Sequence, residues 1–134
     1  GVWTWRLLGA PDAPAQAGVA PAERWQPWSA AALAQAQADG RPVFVDFTAA
    51  WCVTCQVNKR TTLNHEEVLD AFDKHGVTLL RADWTRRDPA ITAALQQLGR
   101  SGVPVYVLHA PGKPPVVLSE LLSKSEVLGA LAAL

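Results

Sequence analysis

Pro42-Val43-Phe44-Val45-Asp46-Phe47 leads through Thr48-Ala49-Ala50 into Trp51-Cys52-Val53-Thr54-Cys55, and this run decides the fold. Its first half is a short apolar stretch rich in valine and phenylalanine, the pattern of a buried strand. Its second half carries the chain's only two cysteines, three positions apart. A Cys-x-x-Cys at a strand-to-helix junction is a dithiol/disulfide redox centre far more often than a staple or a metal site. With a helix beginning near Trp51, Cys52 falls in the first turn, where free backbone N–H groups and the positive dipole end stabilise a thiolate. Cys55 lies one turn on, on the same face and close enough to bond to Cys52. Thiolate character controls attack on a foreign disulfide, so Cys52 reads as the nucleophile and Cys55 as the resolving thiol.

Two other uses of the pair carry less weight. A disulfide closing so small a loop contributes only about 2 kcal/mol of stability in the loop-entropy model. A structural zinc site needs four ligands, whereas His65, His75 and His109 are scattered and not paired in spacing. No metal and no external cofactor is therefore expected; the redox group is the cysteine pair itself. Asp46 interrupts the apolar strand six residues before Cys52. Buried without a cation, its carboxyl has a raised pKa and can accept or return the Cys55 proton during exchange. The plainer alternative is a partly exposed aspartate at a strand end.

The chain has 134 residues, 49% of them hydrophobic, enough for one soluble globular domain with a proper core. Twelve basic and twelve acidic residues balance, which gives no case for nucleic-acid or anionic-membrane binding. No apolar run reaches the roughly 18 residues of a membrane span. The chain starts at Gly1 and has no methionine, which reads as an excised or a processed segment of a longer protein.

Residues 1–24 are expected to form an N-terminal segment and linker, and residues 25–134 the folded domain. Val2-Trp3-Thr4-Trp5-Arg6-Leu7-Leu8 is either the stub of a membrane helix or a segment packing on the domain. Gly9 to Pro21 is a Pro/Ala/Gly tether. Ser29 caps a helix through Ala38, and a strand runs from Val43 to Thr48. The Cys-x-x-Cys helix extends to about Arg60. Asn64 with Glu67 forms a capping-box-like start for a helix ending at His75-Gly76. Val77 to Asp83 is a second strand, and Asp88-Pro89 opens a helix that Gly99 ends. Val103 to Leu108 is a third strand, a Pro/Gly turn leads to a fourth at Val116 to Leu118, and Ser123 with Glu126 caps the last helix. The order predicts an α/β fold with a mixed central sheet of about four strands flanked by helices.

The run from Val45 to Cys55 resembles the active-site strand and helix of thioredoxin-like proteins, and Val103-Pro104 falls where that family carries its cis-proline. Ala50-Trp51-Cys52-Val53-Thr54-Cys55, Arg81-Ala82-Asp83-Trp84-Thr85 and Gly102-Val103-Pro104-Val105-Tyr106 most resemble the C-terminal periplasmic domain of DsbD-type transmembrane thiol–disulfide interchange proteins, including ScsB proteins. The resemblance implies a thioredoxin-like fold over about Trp25 to Leu134. It also implies a periplasmic reductase domain, tethered to the inner membrane as part of a membrane-embedded parent chain. Such a domain takes electrons from the transmembrane domain and hands them to a partner through transient mixed disulfides, acting as a monomer. Pro104 is then expected to face the dithiol and to leave the Val103 backbone free to pair with an incoming peptide. Trp51 either belongs to that docking surface or packs in the core.

Two departures stand out. Gln56-Val57-Asn58-Lys59-Arg60 carries no acid where some relatives have thiol-tuning acids, and Thr54 replaces the proline of ordinary thioredoxins. The absence of histidine between the cysteines favours a reducing role over an oxidising one. The competing readings are a disulfide isomerase or oxidase, and a non-enzymatic binding module with an inert or metal-binding Cys-x-x-Cys.

Overall fold

The computed structural model describes residues 24–134. In chain order the elements are β1 (Gln26–Pro27), α1 (Ala30–Ala38), β2 (Val43–Thr48), α2 (Val53–Asn58), a π-helical turn (Lys59–Leu63), α3 (Glu66–Lys74), β3 (Thr78–Asp83), α4 (Pro89–Gln97), β4 (Val105–His109), β5 (Val116–Val117) and α5 (Lys124–Ala132). They form one five-stranded sheet in the order β1-β3-β2-β4-β5. β3 pairs in parallel with both β1 and β2, whereas β4 runs antiparallel to β2 and β5.

β2 holds the middle of this sheet with all six residues buried, as its mostly apolar run requires, and the burial takes in Asp46 and Thr48. Successive side chains alternate between faces. Val43, Val45 and Phe47 enter a core with Ala36 of α1 and Ile91 and Leu95 of α4. Phe44 enters the opposite core with Phe72 of α3, Tyr106, and Val127 and Leu131 of α5. Asp46, two residues on from Phe44, shares this second face.

The sequence readings of the caps mostly survive. Ser29, Asp88 and Ser123 accept amide hydrogen bonds at the starts of α1, α4 and α5. Gly76 and Gly99 take left-handed φ values of 63° and 75° just after their helices.

Four details differ. There are five strands, because Gln26–Pro27 adds a short edge to β3, where a proline costs no ladder bond. Asn64 does not cap α3; His65 does, its Nδ1 accepting the Glu67 amide, because Asn64 closes the preceding π turn. The Cys-x-x-Cys helix continues to Leu63 by widening into that turn, which buries Thr62 and Leu63 together. β4 starts at Val105, since Pro104 has no N–H for the ladder. The expected membrane-proximal run and tether lie outside the described residues.

Candidate active site

At the C-terminal end of β2 the chain turns through Ala49–Trp51 into α2. The Cys52 amide donates to the Ala49 carbonyl at 3.1 Å, and the Gln56 side-chain amide donates to the same carbonyl at 3.0 Å. Cys52 is the N-cap of α2, so the helix begins at Val53, two residues later than expected. Its Sγ accepts the Cys55 backbone N–H at 3.1 Å. The sulfur therefore meets a free helix-terminal N–H, the environment that favours a thiolate.

Cys52 and Cys55 are joined in a disulfide, with Cα atoms 5.3 Å apart. Cys55 is fully buried while Cys52 retains 8% of its surface, so Cys52 is the more accessible of the two. Val103 packs against the cysteines and Ala49. The Val103–Pro104 peptide is cis, and Pro104 is buried. Among the described residues neither backbone polar group of Val103 has a protein partner.

Asp46 is completely buried, but it is not alone. The parallel register sets Arg81 opposite it, and Arg81 Nε donates to Asp46 Oδ2 at 3.0 Å. The expectation of a carboxyl without a cation is thus corrected: adjacent strands put a guanidinium on the same face. Burial still prevails and raises the Asp46 pKa, against the lowering influence of Arg81 and, more weakly, Lys59. The Arg81 side chain is partly exposed, and solvent screens its charge more than it reaches the buried carboxylate. Asp46 Oδ1 has no partner among the described residues.

Lys59, one turn beyond Cys55, has its pKa lowered by burial, with Asp46 opposing. Tyr106, opposite Asp46 on β4, has its phenol pushed up by burial and by the Asp46 charge. The active-site helix is anchored over this same face. Asn58 donates to the Tyr106 hydroxyl at 2.8 Å and to the Glu120 carbonyl at 2.7 Å, and its Oδ1 accepts the Leu122 amide at 3.2 Å.

Trp51 is 50% exposed, which removes it from the core. Its indole N–H donates to the Thr85 carbonyl at 3.1 Å, and the Thr85 hydroxyl accepts the Ala50 amide at 2.8 Å. Thr85 in turn donates through both its amide and its hydroxyl to Asp83. Of the residues singled out from sequence, Cys52, Cys55 and Val103 come into one cluster, Trp51 flanks it, Pro104 follows Val103, and Asp46 lies on the face beneath α2. Arg81, Lys59, Asn58 and Thr85 were not singled out. Only Thr85 had a local signal, the Asp83-x-Thr85 spacing of an Asx turn. Among the described residues, no group of three or more His, Cys, Asp or Glu is arranged to hold a metal.

A disulfide capping the helix that follows the central strand of such a sheet defines the class, a thiol–disulfide oxidoreductase domain of thioredoxin fold. A family model described as Thioredoxin-like matches residues 24–111, and the chain belongs to that family. The thiol:disulfide interchange protein DsbD of Cronobacter sakazakii is 40% identical over 74 residues, which are 55% of this chain and 12% of that protein. DsbD 1 of Pseudomonas aeruginosa is 37% identical over 82 residues, 61% of this chain and 14% of that protein. The chain therefore matches only a small part of the length of these relatives. The reduced C-terminal domain of Neisseria meningitidis DsbD superposes with a TM-score of 0.64 at 25% identity, covering 78% of this chain and 96% of that one.

Proposed function

We propose that residues 25–134 act as a thiol–disulfide reductase domain that relays electrons from a transmembrane domain of a longer chain to a periplasmic partner. The observation that carries the reading is the asymmetry of the pair: Cys52 is at the helix start with its sulfur on a free N–H, and Cys55 is sealed below it.

In the reduced domain the Cys52 thiolate attacks one sulfur of the partner disulfide. A Cys52–partner S–S bond forms, the partner's bond breaks, and its second sulfur leaves as a thiolate that takes up a proton. Cys55 then loses its proton and attacks Cys52 Sγ, which releases the remaining partner thiolate and closes the Cys52–Cys55 disulfide. Two electrons and the single Cys55 proton pass from the domain to its partner, and solvent supplies the proton of the partner's other thiol.

Asp46 is the group assigned to the Cys55 proton. Burial raises its pKa, and its Oδ1 is an acceptor without a partner among the described residues. Trp51, Val103 and Pro104 are assigned to docking. The Val103 backbone, without a partner among the described residues, offers an incoming extended peptide the hydrogen bonds of an added strand.

The test is trapping. Cys55→Ser keeps the attacking thiol and removes resolution, so an oxidised periplasmic extract should leave Cys52-linked adducts, whereas Cys52→Ser should trap little. Adducts to one or two redox partner domains support a dedicated relay; a broad set of secreted proteins points to an isomerase. A reduction potential close to about −270 mV fits the reductase, and one close to about −120 mV refutes it.

A further inference from the structure

Arg87 is the one non-glycine residue with positive φ among the described residues, at 54°. The left-handed backbone is unfavourable for an arginine, so something holds it there. The Arg87 amide closes a turn onto the Trp84 carbonyl at 2.9 Å. From that turn the guanidinium carbon reaches 5.0 Å from the Trp51 ring centre and 4.8 Å from that of Trp84, the two rings being 6.0 Å apart.

A guanidinium held by ring faces keeps its N–H edge available for a bidentate carboxylate. No carboxylate among the described residues takes it. Among the described residues Arg87 enters no ion pair. The two nearest acids in sequence are committed elsewhere. Asp83 accepts from Thr85, and Asp88 accepts the Ala90 and Ile91 amides at 2.8 and 3.3 Å. Arg86, also exposed, adds a second cation whose charge helps hold Asp83 below the usual carboxylate range, behind the hydrogen bond from Thr85. An exposed guanidinium with no ion-pair partner among the described residues is thus fixed on the exposed indole next to the more accessible cysteine.

We propose that Arg87 is a docking contact that selects protein partners carrying a carboxylate beside the disulfide they exchange. The inference rests on the exchange reading of Cys52 and Cys55 and adds the chemistry of the partner surface to it. A role confined to propping Trp51 would be indifferent to partner charge, which separates the two.

The experiment uses the reduced chain and two oxidised probe peptides with the same disulfide loop, one with glutamate next to each cysteine and one with glutamine. The Glu-to-Gln ratio of second-order reduction rates should fall about three- to fivefold from the parent to Arg87→Gln, the size of one partly exposed ion pair. Arg87→Asn, which tolerates the left-handed backbone, should show the same fall. The difference should vanish near ~0.5 M salt, where the screening length is only a few ångströms. Arg41→Gln, at the opposite end of β2, should keep the parental ratio. An unchanged ratio in both Arg87 variants overturns the proposal. A folded parent that reduces neither peptide overturns the exchange reading itself, and this contact with it.

Discussion

Replacing Asn58 with alanine tests whether the active-site helix is held by one buried amide. α2 is only six residues long, too short for intrinsic helix stability, so its position depends on tertiary contacts. The Asn58 side chain makes three hydrogen bonds, to Tyr106, Glu120 and Leu122. Truncation leaves the Leu122 amide and the Tyr106 hydroxyl buried without this partner, while water can reach the more open Glu120 carbonyl. Each buried orphan costs about 1–2 kcal/mol, and with the lost packing the sum is about 3 kcal/mol. That is a large fraction of a typical 5–15 kcal/mol domain stability and corresponds to about 12 °C in Tm for a chain of this size. Denaturant unfolding of the oxidised protein, with the disulfide constant across variants, measures it directly. Asn58→Asp should be worse than Asn58→Ala, because it keeps only the acceptor for Leu122 and puts a second carboxylate on the face that holds Asp46. A loss below about 1 kcal/mol for Asn58→Ala would refute the assignment of the helix anchor to this residue.

Asp46→Asn should stabilise the fold in a pH-dependent way. A folded pKa above the ordinary 3.8 means that the folded state holds the proton more tightly, so parental stability is greatest below that value and falls as pH rises through the folded pKa. The advantage of the asparagine variant should grow over the same window and then level off, and urea titrations at several pH values would read it; a flat difference refutes it. The same variant should slow mixed-disulfide resolution on the order of tenfold, less than usual acid–base catalysis because a thiol is already a fair acid. Stopped-flow exchange at neutral pH checks this. In the reduced protein, iodoacetamide at mildly acidic pH should label Cys52 well before Cys55, and the reverse order in peptide mapping would exchange their roles. Ser29→Ala should cost about 1 kcal/mol through loss of the α1 cap, with thiol exchange unaffected.

Much of the fold was legible because its signals are local. Strand β2 announces itself by an apolar run broken only by Asp46, and three helix starts by Ser29, Asp88 and Ser123, whose side chains reach amides only two or three residues away. The edge strand Gln26–Pro27 carries no such pattern; two residues become a strand only because β3 offers them an open edge. The α3 cap fell to His65 for a similar reason, since the π turn before it had already claimed Asn64.

The site divides along the same line. The cysteine pair, its place after a buried strand and the acid within that strand are all written in spacing along the chain. What Asp46 faces is not. Its cation comes from Arg81, 35 positions away, through a cross-strand register that no local pattern encodes. The exposure of Trp51, its tie to Thr85, and the Arg87 guanidinium laid over its ring depend likewise on where the loop after β3 returns to the end of β2. Hydrogen bonds and ring contacts act over a few ångströms, so they are specified by the fold's long-range pairing and not by neighbours in the chain.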